Sequence, residues 1–119
     1  MVDTSAEDTI APPLTLRHCR PRAREAALSA EMIAVLLEEL PEWRVEGGVL
    51  TRLFAFGDYR ETIAFVNASA WISQREDHHP ELHVGYNRCQ VQYVTHEVGG
   101  LSENDFICAA MLDALLARG

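Results

Sequence analysis

Lysine is absent from this chain: all ten basic residues are arginine, set against eighteen acidic ones, for a formal net charge of -8 over 119 residues. A chain this acidic repels phosphate backbones on average, so nucleic acid is not expected as a direct partner. Long apolar runs are also lacking. None approaches the roughly 18 residues that a membrane span requires, and Met1 to Ala11 lacks the charged-then-apolar layout of a signal peptide. The expectation is a cytoplasmic protein with no membrane partner. Cysteine is scarce, with Cys19, Cys89 and Cys108 an odd set containing no CxxC pair. That argues against a disulfide framework and a zinc knuckle, and predicts reduced thiols. Phosphate-cradling glycine loops and a GxSxG nucleophile elbow are missing, so nucleophilic catalysis has no foothold.

What is present fits one compact domain. Residues 1–27 hold few large apolar side chains, three prolines (Pro12, Pro13, Pro21) and the cluster Arg17, Arg20, Arg22, Arg24, and read as a flexible or loosely docked arm. The folded domain is expected over 28–119. Ser29 caps a helix with Ile33, Leu36, Leu37 and Leu40 at helical spacing, ended by Pro41. Trp43 to Val45 and Val49 to Phe56, joined through Gly47-Gly48, predict a hairpin. Asp58-Tyr59-Arg60-Glu61 reads as a capping box opening a second helix, with Tyr59, Ile63, Val66 and Ala70 as its apolar stripe, extended to Gln74. Pro80 disfavours helical geometry at His79, so this helix is expected to end near Asp77. Leu82 to Val84 and Cys89 to Thr95 read as two more strands, and Ser102 caps a last helix bearing Ile107, Met111, Ala114 and Leu115. The order predicts an α+β fold: a four-stranded antiparallel sheet with about three helices on one face. Its open edges suggest a dimer.

Three of the five histidines fall in two short blocks, Glu76-Asp77-His78-His79-Pro80 and Thr95-His96-Glu97, the second followed by Leu101-Ser102-Glu103-Asn104-Asp105. Imidazole exchanges protons near neutral pH, so these are candidate acid/base groups. In β-strand alternation His96 shares a face with Gln90, Gln92 and Val94. Two readings stay open: the histidines converge on one site, or they cap strand and helix ends. A metal site is disfavoured, because His79 and His83 flank Pro80 on an extended segment and share no helical face. Asp105, in the first turn of the last helix, is also what the helix dipole alone would select.

The blocks Asp77-His78-His79-Pro80, Tyr86-Asn87, Thr95-His96-Glu97 and Gly100-Leu101-Ser102-Glu103-Asn104-Asp105 resemble those of the pterin-4a-carbinolamine dehydratases, small α+β proteins. Agreement extends from about Leu28 to the C-terminus. The resemblance implies cofactor-free, metal-free dehydration of a 4a-hydroxytetrahydropterin, with His78, His79 and His96 catalytic, Asp105 orienting His96 or the ring, and Gln74, Asp77, Pro80 and Thr95 contacting substrate. It implies a homodimer or homotetramer. Two positions depart from the family's pattern: Gln74 stands where a glutamate is usual, and Leu82 where a tryptophan often flanks the pocket. Such departures also fit a second reading, a dehydratase-like branch that is associated with carboxysomes and assists RuBisCO assembly as a protein client.

Overall fold

A computed structural model describes residues 12–117. The segment 1–11, including the part of the arm and the signal-peptide reading that fall on it, lies outside the described residues. Seven regular elements follow in the expected order: α1 (Ala30–Leu37), β1 (Arg44–Glu46), β2 (Val49–Ala55), α2 (Tyr59–Glu76), β3 (Glu81–Val84), β4 (Arg88–Tyr93) and α3 (Glu103–Ala117). The strands form one antiparallel sheet in the order β1-β2-β4-β3. Both glycines of the first hairpin turn have positive φ, 56° at Gly47 and 81° at Gly48, so a two-residue turn closes Glu46 onto Val49. Among the described residues no helix is long and apolar enough to cross a membrane.

Alternation divides the sheet. Leu50 and Phe54 of β2 and Cys89, Val91 and Tyr93 of β4 are buried on the inner face, under the helices. Burying such side chains stabilises the fold by about 1.5–3 kcal/mol each. Leu82 pairs with Val91 and shares that inner parity. Val49, Thr51, Leu53, Gln90, Gln92, Glu81 and His83 belong to the outer face.

Four expectations are corrected. The buried stripe of α2 is Thr62, Phe65, Ser69, Ile72, Ser73 and Glu76, leaving Tyr59, Ala70 and Gln74 exposed. The three hydroxyls pack inward because each donates to a carbonyl of its own helix: Thr62 to Asp58, Ser69 to Val66 and Ser73 to Ser69. Helix α1 stops at Leu37 because Glu38, Glu39 and Leu40 tighten into i→i+3 hydrogen bonds before Pro41.

The third correction concerns the arm. Its described part is docked along α3 rather than loosely held. Leu14, in a 3-10 turn (Leu14–Leu16), is buried, and Arg22 is only 4% exposed. Arg17 donates to Glu103, Cys19 N–H to Glu76, and Arg22 N–H to Glu97. Asn104 accepts from Arg20 N–H and Arg22 Nε and donates to the Arg20 carbonyl. These anchors are polar and far apart in sequence, so no apolar periodicity announces them. With the arm on one side and the sheet and α2 on the other, every residue of α3 from Asn104 to Leu112 is buried. The expected stripe therefore becomes a helix enclosed all round, and Ala114 and Leu115 end up exposed.

Candidate active site

The connection between α2 and β3 sets the site. Asp77 takes a left-handed conformation, φ 52° and ψ 44°, and the N–H groups of Asp77 and His78 both close on the Ser73 carbonyl. The chain then runs extended into β3, and neighbouring side chains on an extended chain point to opposite sides. His78 turns inward and His79 outward.

The inner side is a closed polar cluster. His78 Nε2 lies 2.6 Å from Asp105 Oδ1, and its ring stacks on Tyr93 at 5.8 Å and 9°. Asp105 is fully buried. Its Oδ2 accepts from Thr95 Oγ1 at 2.8 Å and from Ser102 N–H at 2.9 Å, while Ser102 Oγ accepts from Asn104 N–H. This is the reciprocal cap expected from Ser102 and a carboxylate three residues on. Asp105 thus orients His78 and not His96, and the Thr95 hydroxyl is committed to Asp105 and Ser102. Burial, with Cys108, Cys19 and Asp105 nearby, pushes the Tyr93 phenol far above its ordinary range.

A cavity of about 390 Å³ adjoins this cluster beside the arm. Its lining includes His78, Asp77, Glu76, Cys19, Arg20 and Asn104. Burial alone would raise the Glu76 carboxyl, but hydrogen bonds from Cys19 N–H, His18 and Arg75 bring it below its usual value.

The outer face holds a different cavity, of about 330 Å³, where β2 begins and β4 ends. It is lined by Val49, His79, Pro80, Glu81, Gln92, Val94 and His96. His96 enters from the 3-10 turn His96–Val98 that follows β4. Among the described residues no hydrogen bond from the chain holds either imidazole, so both are free to meet a ligand. The volume is at the small end of the range for ligand pockets.

The structure therefore brings together His79, His96 and Pro80, and sends His78, Asp105 and Thr95 to the other side of the sheet. Among the described residues, the cavity that holds His79 and His96 does not include His78, which lines the cavity beside the arm. Gln74 is exposed on α2 and lines neither cavity, and Leu82, on the inner face, does not flank the outer one. Gln92 and Glu81 are cavity residues that sequence reasoning did not single out. The signal for Gln92 was the alternation it shares with His96; Glu81 is brought there by its cross-strand pairing with Gln92. Among the described residues no group of three His, Cys, Asp or Glu side chains is arranged to hold a metal ion.

The family described as Pterin 4 alpha carbinolamine dehydratase matches residues 26–115. A protein of Nitrosospira multiformis named "putative pterin-4-alpha-carbinolamine dehydratase" is 51% identical over 109 residues, covering 91% of this chain and 96% of its own. One of the same name from Xanthomonas campestris pv. campestris is 52% identical over 110 residues, covering 90% and 93%. Among solved structures, a transcriptional coactivator/pterin dehydratase from Brucella melitensis is similar, with a TM-score of 0.72 and 32% identity, covering 75% of this chain and 97% of that one. A pterin dehydratase-like protein described as a RuBisCO assembly factor in the alpha-carboxysome is similar with a TM-score of 0.55 and 32% identity, covering 62% and 88%. With nine-tenths of its length matched at half identity, this chain belongs to the pterin-4a-carbinolamine dehydratase family.

Proposed function

We propose that the chain dehydrates a 4a-hydroxytetrahydropterin to the quinonoid dihydropterin. The reaction removes the N5 proton, breaks the C4a–O bond, forms the C4a=N5 bond and releases water. The observation that carries this reading is that two imidazoles, His79 and His96, share one cavity and make no hydrogen bond to the other described residues. One accepts the N5 proton and the other protonates the departing hydroxyl; each transfer is worth about 10²–10⁴-fold. Gln92 and Glu81 supply an amide and a carboxylate for the polar edge of the pterin ring, and Pro80 an apolar wall. His78, held by Asp105, fixes the loop from which His79 projects, and Asp77 shapes that loop. Neither a metal nor a cofactor has a role in this scheme.

The test is turnover of 4a-hydroxytetrahydropterin by the full chain. His79→Ala and His96→Ala each lower kcat by about 10²-fold or more. Gln74→Glu, on the exposed face of α2, leaves turnover unchanged. No parent activity above the uncatalysed rate would overturn the reading and favour the second one, in which the scaffold assists RuBisCO assembly. That second reading is supported by the likeness to the assembly factor, which is at the same identity as the dehydratase structure but with the lower TM-score.

The working form is proposed to be a homo-oligomer. β1 and β3 are open edges, and Leu53 and Val84 are exposed on the sheet at 53% and 44%. Light scattering at micromolar concentration shows a mass at least twice 13.3 kDa; a monomer alone contradicts it.

A further inference from the structure

The arm and α3 meet at a pair of thiols that the proposed dehydration does not use. Cys19 Sγ and Cys108 Sγ are 3.5 Å apart, although 89 positions separate them in the chain. Both are free in this structure. A disulfide requires about 2.05 Å between the sulfurs, so closing it needs an approach of roughly 1.5 Å. The two thiols differ in access. Cys19 is half-buried and lines the cavity beside His78, where a small molecule can reach it, whereas Cys108 is fully buried on α3. Cys89, the third thiol, is fully buried on β4.

We propose that Cys19 and Cys108 form a redox-sensitive tie, oxidised by a low-molecular-weight disulfide of the glutathione type. Cys19, as thiolate, attacks one sulfur of the oxidant, forming a mixed disulfide and expelling a thiolate. The expelled thiolate takes up the Cys108 proton, and the Cys108 thiolate then attacks Cys19 Sγ; the Cys19–Cys108 bond forms, the mixed disulfide breaks, and the second departing thiolate is protonated from solvent. Two protein thiols are oxidised and one disulfide is reduced to two thiols. The order of attack follows from access, and agrees with Cys108 being held protonated by its contact with Cys19 and by burial. The tie fastens the arm, whose Cys19, Arg20 and Pro21 line the cavity at His78, to the helix that carries Asp105.

The experiment treats the full chain with oxidised glutathione and maps thiols by mass spectrometry without reduction. The expected result is loss of two hydrogens, a cross-linked peptide pair holding Cys19 and Cys108, and a free Cys89. The long loop closed by the bond raises Tm by on the order of 10 °C, reversed by dithiothreitol. Cys108→Ala, which removes the second step alone, leaves a stable glutathione adduct on Cys19. Three free thiols after treatment, a lasting adduct on Cys19 in the parent, or a bond involving Cys89 would each overturn the proposal.

Discussion

His78 and His79 are adjacent in sequence and opposite in circumstance. His78 is wedged between Tyr93 and the buried Asp105, its Nε2 already bonded, while His79 stands exposed over a cavity with no hydrogen bond from the described residues. The difference separates two uses of one residue type. An imidazole fixed in a closed polar cluster stabilises a loop; an unbonded imidazole at a cavity can exchange a proton with something that enters. Thr95 and His96 repeat the division one residue apart at the end of β4.

The contrast breaks most visibly at Asp105. Asp105→Ala strips the buried Thr95 hydroxyl, the Ser102 N–H and His78 of their shared acceptor, at a cost of about 3 kcal/mol in urea unfolding. His79→Ala, by comparison, changes stability by less than about 0.5 kcal/mol. If the two variants melt alike, the distinction between a structural and a reactive histidine fails.

A smaller effect sharpens the comparison at the edge of the inner cluster. Glu76 is buried and accepts from Cys19 N–H, His18 and Arg75, and its carboxyl is held below the usual value near 4.5. A carboxyl lowered on folding contributes stability that is complete above the unfolded value and is lost as pH falls through the folded one. Glu76→Gln therefore costs about 1–2 kcal/mol at pH 7, and the gap between parent and variant narrows as the pH is taken below 4. A gap constant down to pH 3 would show that the ionised form is not what the arm binds.

Elements governed by local rules were legible in the sequence. The Ser29 and Asp58 caps, the Gly47-Gly48 turn, the break before Pro80 and the alternation of β4 all occur, because caps, turns and pleats depend on residues within a few positions of one another. The α2 stripe was misjudged because hydroxyl side chains that bond to their own helix can be buried, and an apolar count passes over them. Asp105 was legible as a first-turn helix carboxylate, but it was assigned to His96 or the ring and not to His78. Its capping bond spans three residues, whereas its imidazole bond spans 27.

By itself the sequence determined the order of the elements, the four-strand antiparallel sheet and the family to which the chain belongs, since short-range chemistry and matched motifs carry that information. Only the tertiary structure decided that the histidines divide between two faces, that the arm from Leu14 to Arg22 is docked, that Gln74 faces away from both cavities, and that Cys19 meets Cys108. The physical reason is common to all four. Each depends on which side of the sheet or helix a residue faces and on what distant segment packs there, and a one-residue change of facing, invisible in composition, reverses the outcome.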